Sequence, residues 1–538
     1  MNAAKRIDAL CAAAVAVIFL ALHLPGAHSH AIHPDEADML YPMLGLLRQN
    51  AVLLHRCVAF HLGSFSFPVM IHPYHGPYEG YLSLPFLALL GNTSEAVFLR
   101  SAFYDAVSTA LIFWAAKSIF RDRLAAFLAG FLWATSGFAL SSDIGLFWGT
   151  SVIGIVMLAL IAAVDWLETA RPAALIAASA WLGLACAARA WVIALPLACL
   201  AAAPLARREI LRALGRMSRR ELAAAAGVFL LFFIPNLIGN ALTGFRLLRA
   251  SLSGSAAAPV PLRTAAAIVG DGLWGLLTGQ YDRFVLIGND HGPGVVLTSK
   301  AGFGVLFAAA LALTESLRRK IFGGAVPRRH LLILAVFSVF TLLAVLSPTN
   351  KNANHLYPVL PFLYMNLAAL PLIFSSPRVR NAAWAAVIAF AAYSALQNYR
   401  NIRWYQNAAR AKGGSGPESS DAILELSSWL TRENIRNPVA ASAVNISGNL
   451  LYFGGGELAP EDIVWGPDPA APFERGRWEG LVCSADRTFI VNFDPFPERD
   501  TAPALTAIAR GCGKSLVRIR NFLSRDGRVV YTAYRTRR

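Results

Sequence analysis

The feature that most constrains this chain is the recurrence of long apolar runs over about its first 400 residues. Each run has roughly 18 to 22 residues, enough for a helix to cross a hydrocarbon core of about 30 Å. Only 15% of the residues are charged, against about a quarter in ordinary soluble domains. We therefore predict a mainly α, polytopic membrane protein with about eleven transmembrane helices. The predicted spans are residues 7–25, 98–117, 124–141, 144–164, 172–188, 190–205, 222–242, 294–314, 331–347, 355–375 and 381–397.

Basic residues are concentrated in short loops on one side of these spans. With the N-terminus in the cytoplasm, four basic loops lie inside, as the positive-inside rule requires: Lys117–Arg123, Ala206–Arg220, Ser316–His330 and Ser375–Asn381. The C-terminus then lies outside, and we expect a multi-pass protein of a bacterial inner membrane. The net charge of +16 indicates topology rather than nucleic-acid binding, because its Lys and Arg are split among separate loops. The first apolar run is either an uncleaved anchor or a secretory signal, and both place the next segment outside.

The composition divides the chain into a membrane domain, a linker and a polar tail. Residues 1–400 form the membrane domain, including a long external loop at 26–95 with juxtamembrane helices. Residues 401–420 are predicted to be a linker because of their Gly, Ser and Pro content. Residues 421–538 combine a helical pattern with short alternating runs, which predicts a small extracytoplasmic (periplasmic) α/β domain. Cys483 and Cys512 both lie in this tail, where an oxidising compartment would permit a disulfide, and the sequence leaves their pairing open.

The stretch "AIHPDEADMLYPMLGLL" has two interpretations. Pro34, Asp35 and Glu36 are typical of a helix start, and apolar residues follow at helical spacing, so an amphipathic helix explains them. The same helix, beginning just outside the membrane, would also hold its first carboxylates at the water boundary. There a carboxylate could act as general base while a lipid-linked donor approaches from the bilayer.

Several motifs, in their order and sidedness, resemble one superfamily of membrane enzymes. They are the "DE" pair of "HPDEADMLY", the downstream "HGPYEGYLSLPFLALLG", the Arg of "EAVFLRSAFYDAVSTAL", "IFRDRLAAFLAGFLWATSG" and "NHLYPVLPFLYM". Through them the chain resembles the GT-C integral-membrane glycosyltransferases, which use polyprenyl-phosphate sugars. Within that superfamily it is most similar to the bacterial RgtA/B/C/D-like group, and it is related to the protein O-mannosyltransferases and the lipid A aminoarabinose transferases. The resemblance covers about 400 residues and implies a GT-C-like fold.

The resemblance also implies roles for three acids. Asp35 becomes the expected general base and Glu36 its companion. Some relatives have a second essential acid after the third span, and Asp143 in "SSDIGLFWG" occupies that place. A helix cap is the competing interpretation of Asp143.

Donor binding requires cations near the outer face. Relatives often place a cation before the Pro-rich piece, where this chain has only His75, so the donor phosphate is expected at Arg100, Arg189 or Lys351 as well. Arg189 follows an apolar span and is either functional or a side chain that snorkels to the headgroups. Five further residues are expected in the loops that hold donor or acceptor: Tyr78, Tyr81, His291, His355 and Tyr357.

A metal site is not predicted. His72, His75, Glu79, Asp290 and His291 could supply ligands, but no spacing matches a closed zinc pattern. We therefore expect no metal and no other cofactor.

The resulting prediction is a glycosyltransferase that moves a hexosyl or pentosyl group, with inversion, from a polyprenyl-phosphate donor to an extracytoplasmic glycan, lipid or protein. Its expected partners are the lipid-linked sugar, that acceptor and membrane lipids, and no nucleic acid. The alternative is a transporter or flippase of a lipid-linked sugar. Such proteins usually have internal repeats and ionisable groups near the bilayer midplane. A structural membrane subunit with a binding tail is a third interpretation.

Overall fold

The structure is a computed structural model of the full chain. It describes residues 3–26, 32–54, 57–63, 65–71, 76–137, 139, 150–242, 244–245, 332–333, 335–337, 339–340, 357–414, 420–441, 446–462, 475–484, 487–492 and 501–537.

Five helices among the described residues are long and apolar enough to cross a membrane. They are α1 (Ala3–His23), α5 (Ser94–Phe120), α7 (Thr150–Thr169), α11 (Arg219–Leu242) and α13 (Pro377–Lys412). Three shorter apolar helical segments accompany them: α6 (Arg123–Ala134), α8 (Pro172–Ala188) and Tyr357–Ile373, whose α-helical part is α12 (Leu360–Ala369). The chain is thus mainly α with several candidate spans, and the count of about eleven stays a prediction.

Two predicted boundaries differ in the structure. The predicted span 190–205 is not one helix: 3₁₀ turns at Ala190–Ile193 and Ala203–Ala206 flank α9 (Ala194–Ala202), and α10 (Arg207–Leu214) follows. Prolines at 196 and 204 disrupt a continuous helix there, because proline lacks the N–H that such a helix needs. The predicted linker also begins too early, since α13 continues through residue 412 and ends where Gly413 adopts a left-handed conformation.

The apolar helices pack around one core. Helix α5 contacts α1, α6 and α7, while α8 lies between α7 and α11. Large buried side chains, among them Phe113, Trp133 and Phe362, fill the space between them. This packing fixes the N-terminal end of α5 and the C-terminal end of α8, from which the arginines of the candidate site extend.

The segment between α1 and α5, predicted to be the first external loop, is folded against the bundle. It contains α2 (Pro34–Arg48), the short α3 (Ala51–Leu54), an antiparallel hairpin of β1 (Val58–Leu62) and β2 (Phe65–Met70), and α4 (Tyr78–Leu90). Helix α4 has 13 residues, too few to span a bilayer, and contacts α2 and α5.

Residues 422–537, which we call the C-terminal α/β unit, contain a five-stranded mixed sheet with strand order β4-β3-β5-β7-β6. The strands are β3 (Val439–Ala440), β4 (Glu461–Asp462), β5 (Thr488–Asn492), β6 (Ser515–Leu523) and β7 (Val529–Arg537). The helices of the unit are α14 (Ala422–Arg432), α15 (Ser447–Phe453), α16 (Arg475–Ser484) and α17 (Ala502–Gly511). β3 pairs in parallel with β4 and β5, whereas β7 is antiparallel to β5 and β6. A disulfide joins Cys483 to Cys512, and α15 packs on α2.

Candidate active site

Helix α2 begins as its sequence predicts. Pro34 is its first residue, and the Ala37 N–H donates to the His33 carbonyl at 3.1 Å, which closes the first turn. Asp35 lies on this turn. The predicted solvent-exposed face of this helix is wrong, however, because every residue from 36 to 45 is buried. Helix α4, β2 and α15 contact α2. Its position at the water boundary stays a prediction.

The first buried ion pair of the site joins α2 to α5. The Arg100 Nη2 atom lies 2.7 Å from Glu36 Oε2, and both side chains are almost fully buried. Arg100 also donates to the hydroxyls of Ser83, at 3.2 Å, and Ser101, at 3.0 Å. These contacts fix the Arg100 guanidinium beside the first turn of α2, where its partner Glu36 directly follows Asp35 in the sequence.

The second buried ion pair joins α4 to the end of α8. The Arg189 Nη2 atom lies 2.6 Å from Glu79 Oε2, with side-chain exposures of 1% and 4%. The Ser151 hydroxyl donates to the other Glu79 oxygen at 3.2 Å. Arg189 is therefore not a snorkelling side chain, since a guanidinium that reached the headgroups would be exposed.

Gly76 brings the second pair together. Its N–H donates to the Ala187 carbonyl at 3.1 Å, and the same carbonyl accepts from Asn236 Nδ2 at 3.0 Å. A Cβ at Gly76 would collide with that carbonyl oxygen. The start of α4 can therefore approach the end of α8 closely enough for Glu79 to reach Arg189.

The electrostatics of Glu79 follow from its position. Burial raises the pKa of its carboxyl group, while neighbouring Arg189 opposes this effect and Glu36 adds to it. One member of each ion pair, Arg100 and Glu79, lines the same small cavity, so the two pairs are neighbours in a buried site. The cavity is lined by Met39, Glu79, Leu82, Arg100, Ser101, Tyr104 and Ser151.

Three of the predicted loop tyrosines are described by the structure. Tyr357 is buried within electrostatic range of Arg189 and Glu79, so this tyrosine lies near the site. Tyr78 and Tyr81 instead donate to backbone carbonyls, of Phe232 at 2.9 Å and of Pro68 at 2.8 Å. Their hydroxyls thus tie the loop to α11 and to the hairpin.

The remaining predicted residues lie outside the described part of the chain, and their roles stay predictions. They are His75, Asp143, His291, Lys351 and His355. Within the described ranges, no group of three His, Cys, Asp or Glu residues is arranged to hold a metal. The expectation that no cofactor is needed also stays a prediction.

Sequence reasoning missed the partners of the two arginines. The sequence suggests Glu79 only as a metal ligand and does not single out Ser83, Ser101 or Ser151. The available signal was an acid in the otherwise apolar segment "GPYEGYLSLPFLALL", where a charge requires a counter-charge.

A comparison of the sequence with protein-family models found no match, and a comparison with curated proteins found none either. Among solved structures, ArnT from Cupriavidus metallidurans bound to undecaprenyl phosphate is similar with a TM-score of 0.57 at 12% identity, over 99% of this chain and 98% of that one. The apo oligosaccharyltransferase of Archaeoglobus fulgidus is similar with a TM-score of 0.50 at 13% identity, over 90% and 69%. AglB from the same organism, in complex with an inhibitory peptide and a dolichol-phosphate, gives 0.51 at 12% identity, over 91% and 70%. What this chain shares with these three structures, over nearly its whole length, is their fold.

Proposed function

We propose that this protein is a membrane glycosyltransferase that moves a sugar from a polyprenyl-phosphate donor to an extracytoplasmic acceptor. One observation carries the proposal: Arg100 and Glu79, one member of each buried Arg–Glu pair, line a single small cavity, and Glu36 of the first pair follows Asp35 on the first turn of α2. The fold adds support, because it is shared with ArnT in a structure that contains undecaprenyl phosphate. The acceptor is a glycan, a lipid or a protein.

The arginines suit the phosphate of such a donor. A guanidinium has five N–H donors in a planar fork, so it can hold a carboxylate and a phosphate oxygen at the same time. In this proposal Glu36 and Glu79 orient Arg100 and Arg189, and the donor phosphate binds to their other N–H groups. Lys351 and His75 supply further contacts to the phosphate.

The chemistry is a displacement at the anomeric carbon of the sugar. The bond from this carbon to the phosphate oxygen breaks, a bond to the acceptor oxygen or nitrogen forms on the opposite face, and polyprenyl phosphate leaves with the bonding electrons. The acceptor proton moves to the Asp35 carboxylate as general base. Glu36 is less suited to this step because it is already paired with Arg100. Asp143 is proposed as a second acid, and no metal is required.

In this proposal the acceptor is extracytoplasmic because the basic loops favour a cytoplasmic N-terminus. The site and the C-terminal α/β unit then face the periplasm of a bacterial cell. The Cys483–Cys512 disulfide supports this placement, because such bonds persist in oxidising compartments.

The test is transfer in proteoliposomes. Mass spectrometry of the purified protein first identifies a co-purifying lipid-linked sugar, which then serves as donor, with cell-envelope fractions as acceptor. We expect Asp35→Asn to reduce transfer by at least about 100-fold. The matched control is Asp165→Asn, at an exposed carboxylate that pairs with Arg171. Full activity of Asp35→Asn would disprove its role as base, and lipid flipping without a glycosidic product would favour the transporter alternative.

A further inference from the structure

A short segment of the C-terminal α/β unit lies against the candidate site. Residues 447–456, comprising α15 and the glycine turn that follows it, are called here the docking segment. Leu450 packs into the core of the α/β unit, whereas Leu451 and Tyr452 belong to the apolar cluster that surrounds α2. The segment is therefore shared between the two parts of the chain.

The docking segment holds α2 at both ends. Asn449 Nδ2 donates to the carbonyl of Ile32, three residues before Asp35, at 3.2 Å. At the other end, Nη1 of Arg48, the last residue of α2, donates to the Gly455 carbonyl at 3.0 Å.

The same segment holds the start of α5. The Tyr452 hydroxyl donates to the carbonyl of Thr93 at 2.9 Å, and the Thr93 hydroxyl caps α5 by accepting from the Ala96 N–H. Asn92 Nδ2 donates to the carbonyls of Tyr452 and Phe453, at 3.0 and 2.9 Å, at the C-terminal end of α15. Asn92 Oδ1 also accepts from Arg48 Nη2 at 3.0 Å.

The glycine turn, "FGGGEL" in sequence, is required by this contact. Gly455 and Gly456 have φ values of +60° and +94°, which side chains rarely adopt. A Cβ at Gly455 would also strike the Arg48 guanidinium, and one at Gly456 would strike the Asn50 amide. The run lacks the patterns of nucleotide-binding loops, and this close approach gives it a different role.

We infer that the docking segment is a positioning element for the transfer reaction: it fixes α2, and with it Asp35, relative to Arg100 on α5. This inference rests on the proposed function. Both ends of α2 and the beginning of α5 are held by one rigid piece, and the Glu36–Arg100 pair lies between these contacts. If the segment is displaced, α2 can shift relative to α5, and a shift of about 1 Å at a reacting group can cost about 100-fold in rate.

The test compares two glycine variants of the full-length protein in nanodiscs. Gly455→Ala introduces a left-handed alanine and a collision with Arg48. Gly527→Ala, in the same α/β unit, introduces a similar backbone strain at φ +82° with no atom within 4 Å of the new Cβ. It therefore controls for strain alone. Tyr452→Phe keeps the ring in place and removes only the hydrogen bond to Thr93.

The first readout is hydrogen exchange, which does not depend on activity. We expect exchange in peptides covering 34–48 to rise about 5- to 30-fold in Gly455→Ala, and less in Tyr452→Phe, with β5, β6 and β7 still protected. Gly527→Ala should leave α2 at the wild-type rate. The second readout is transfer, where we expect kcat to fall about 10- to 100-fold in Gly455→Ala with less than about a threefold change in the donor KM.

The outcomes separate the two proposals. If hydrogen exchange in α2 is equal in Gly455→Ala and Gly527→Ala, the positioning role is refuted. It is also refuted if Gly455→Ala loses transfer while its α2 exchanges at the wild-type rate. If Gly455→Ala does not fold, wild-type exchange and wild-type kcat in Tyr452→Phe refute it instead. Absence of any transfer by the wild-type protein would refute the proposed function, whatever the exchange data show.

Discussion

Breaking the Arg189–Glu79 pair should destabilise the protein far more than breaking an exposed pair. In Glu79→Gln the Arg189 guanidinium, 1% exposed, loses its carboxylate partner in a buried site. Removal of one partner from a buried pair costs about 3 to 5 kcal/mol of unfolding free energy. The matched control, Asp165→Asn, breaks a pair whose side chains are 65% and 38% exposed, and such pairs contribute at most about 1 kcal/mol.

A double variant separates stability from function. Replacing both partners, as in Arg189→Met with Glu79→Leu, removes both buried charges and should recover most of the lost stability. It should not recover donor binding, because the guanidinium that we assign to the phosphate is gone. Stability is measured by denaturant unfolding in mild detergent, and donor binding by retention of undecaprenyl phosphate in native mass spectrometry.

Two results would contradict this reasoning. Equal losses of unfolding free energy in Glu79→Gln and Asp165→Asn would mean that the Arg189–Glu79 pair is not buried in the folded protein. Wild-type retention of undecaprenyl phosphate by the double variant would mean that Arg189 does not hold the donor phosphate.

Further predictions concern pH, the glycine of the site and the disulfide. Burial raises the pKa of Glu79 above its ordinary 4.5, so just above pH 4.5 the folded protein binds more protons than the unfolded chain. The unfolding free energy should therefore fall as the pH rises from 4.5 through the raised pKa. In a pH series, Glu79→Gln should remove this part of the pH dependence of the unfolding free energy. Gly76→Ala should reduce transfer about 10- to 100-fold in the proteoliposome assay, because the new Cβ collides with the Ala187 carbonyl and displaces Glu79. Cys483→Ser with Cys512→Ser should destabilise the C-terminal α/β unit by at most about 4 kcal/mol, since the bridge closes a loop of 29 residues, and local hydrogen exchange measures the loss.

The sequence predicted functional arginines but could not predict what they contact. The cost of placing an Arg at the outer end of an apolar span identifies Arg189 as a candidate, and the family resemblance identifies Arg100. Their partners are 64 and 110 positions away in sequence, at Glu36 and Glu79. Such pairs depend on how helices pack, and helix periodicity carries no information about that.

The surroundings of α2 show the same limit. Its pattern of apolar residues predicted the helix and its start at Pro34, and both predictions are confirmed. The solvent-exposed face was wrong because β2 and α15 come from other parts of the chain, and α15 lies about 400 residues later. The broken helix at 190–205 was foreseeable, since two prolines within the run argue against a single span.

Helix α13 has a mechanical consequence. It runs without interruption for 36 residues, about 54 Å at 1.5 Å per residue, from the predicted cytoplasmic face to the C-terminal α/β unit. Near the C-terminal end of α13, the Arg410 side chain donates to the Pro25 carbonyl, and the Arg410 carbonyl accepts from Arg525. These hydrogen bonds fix this end of the helix. One residue inserted between 400 and 410 would turn everything beyond it by about 100°. The number of residues in α13 therefore sets the rotation of the α/β unit about the axis of this helix, relative to the membrane helices.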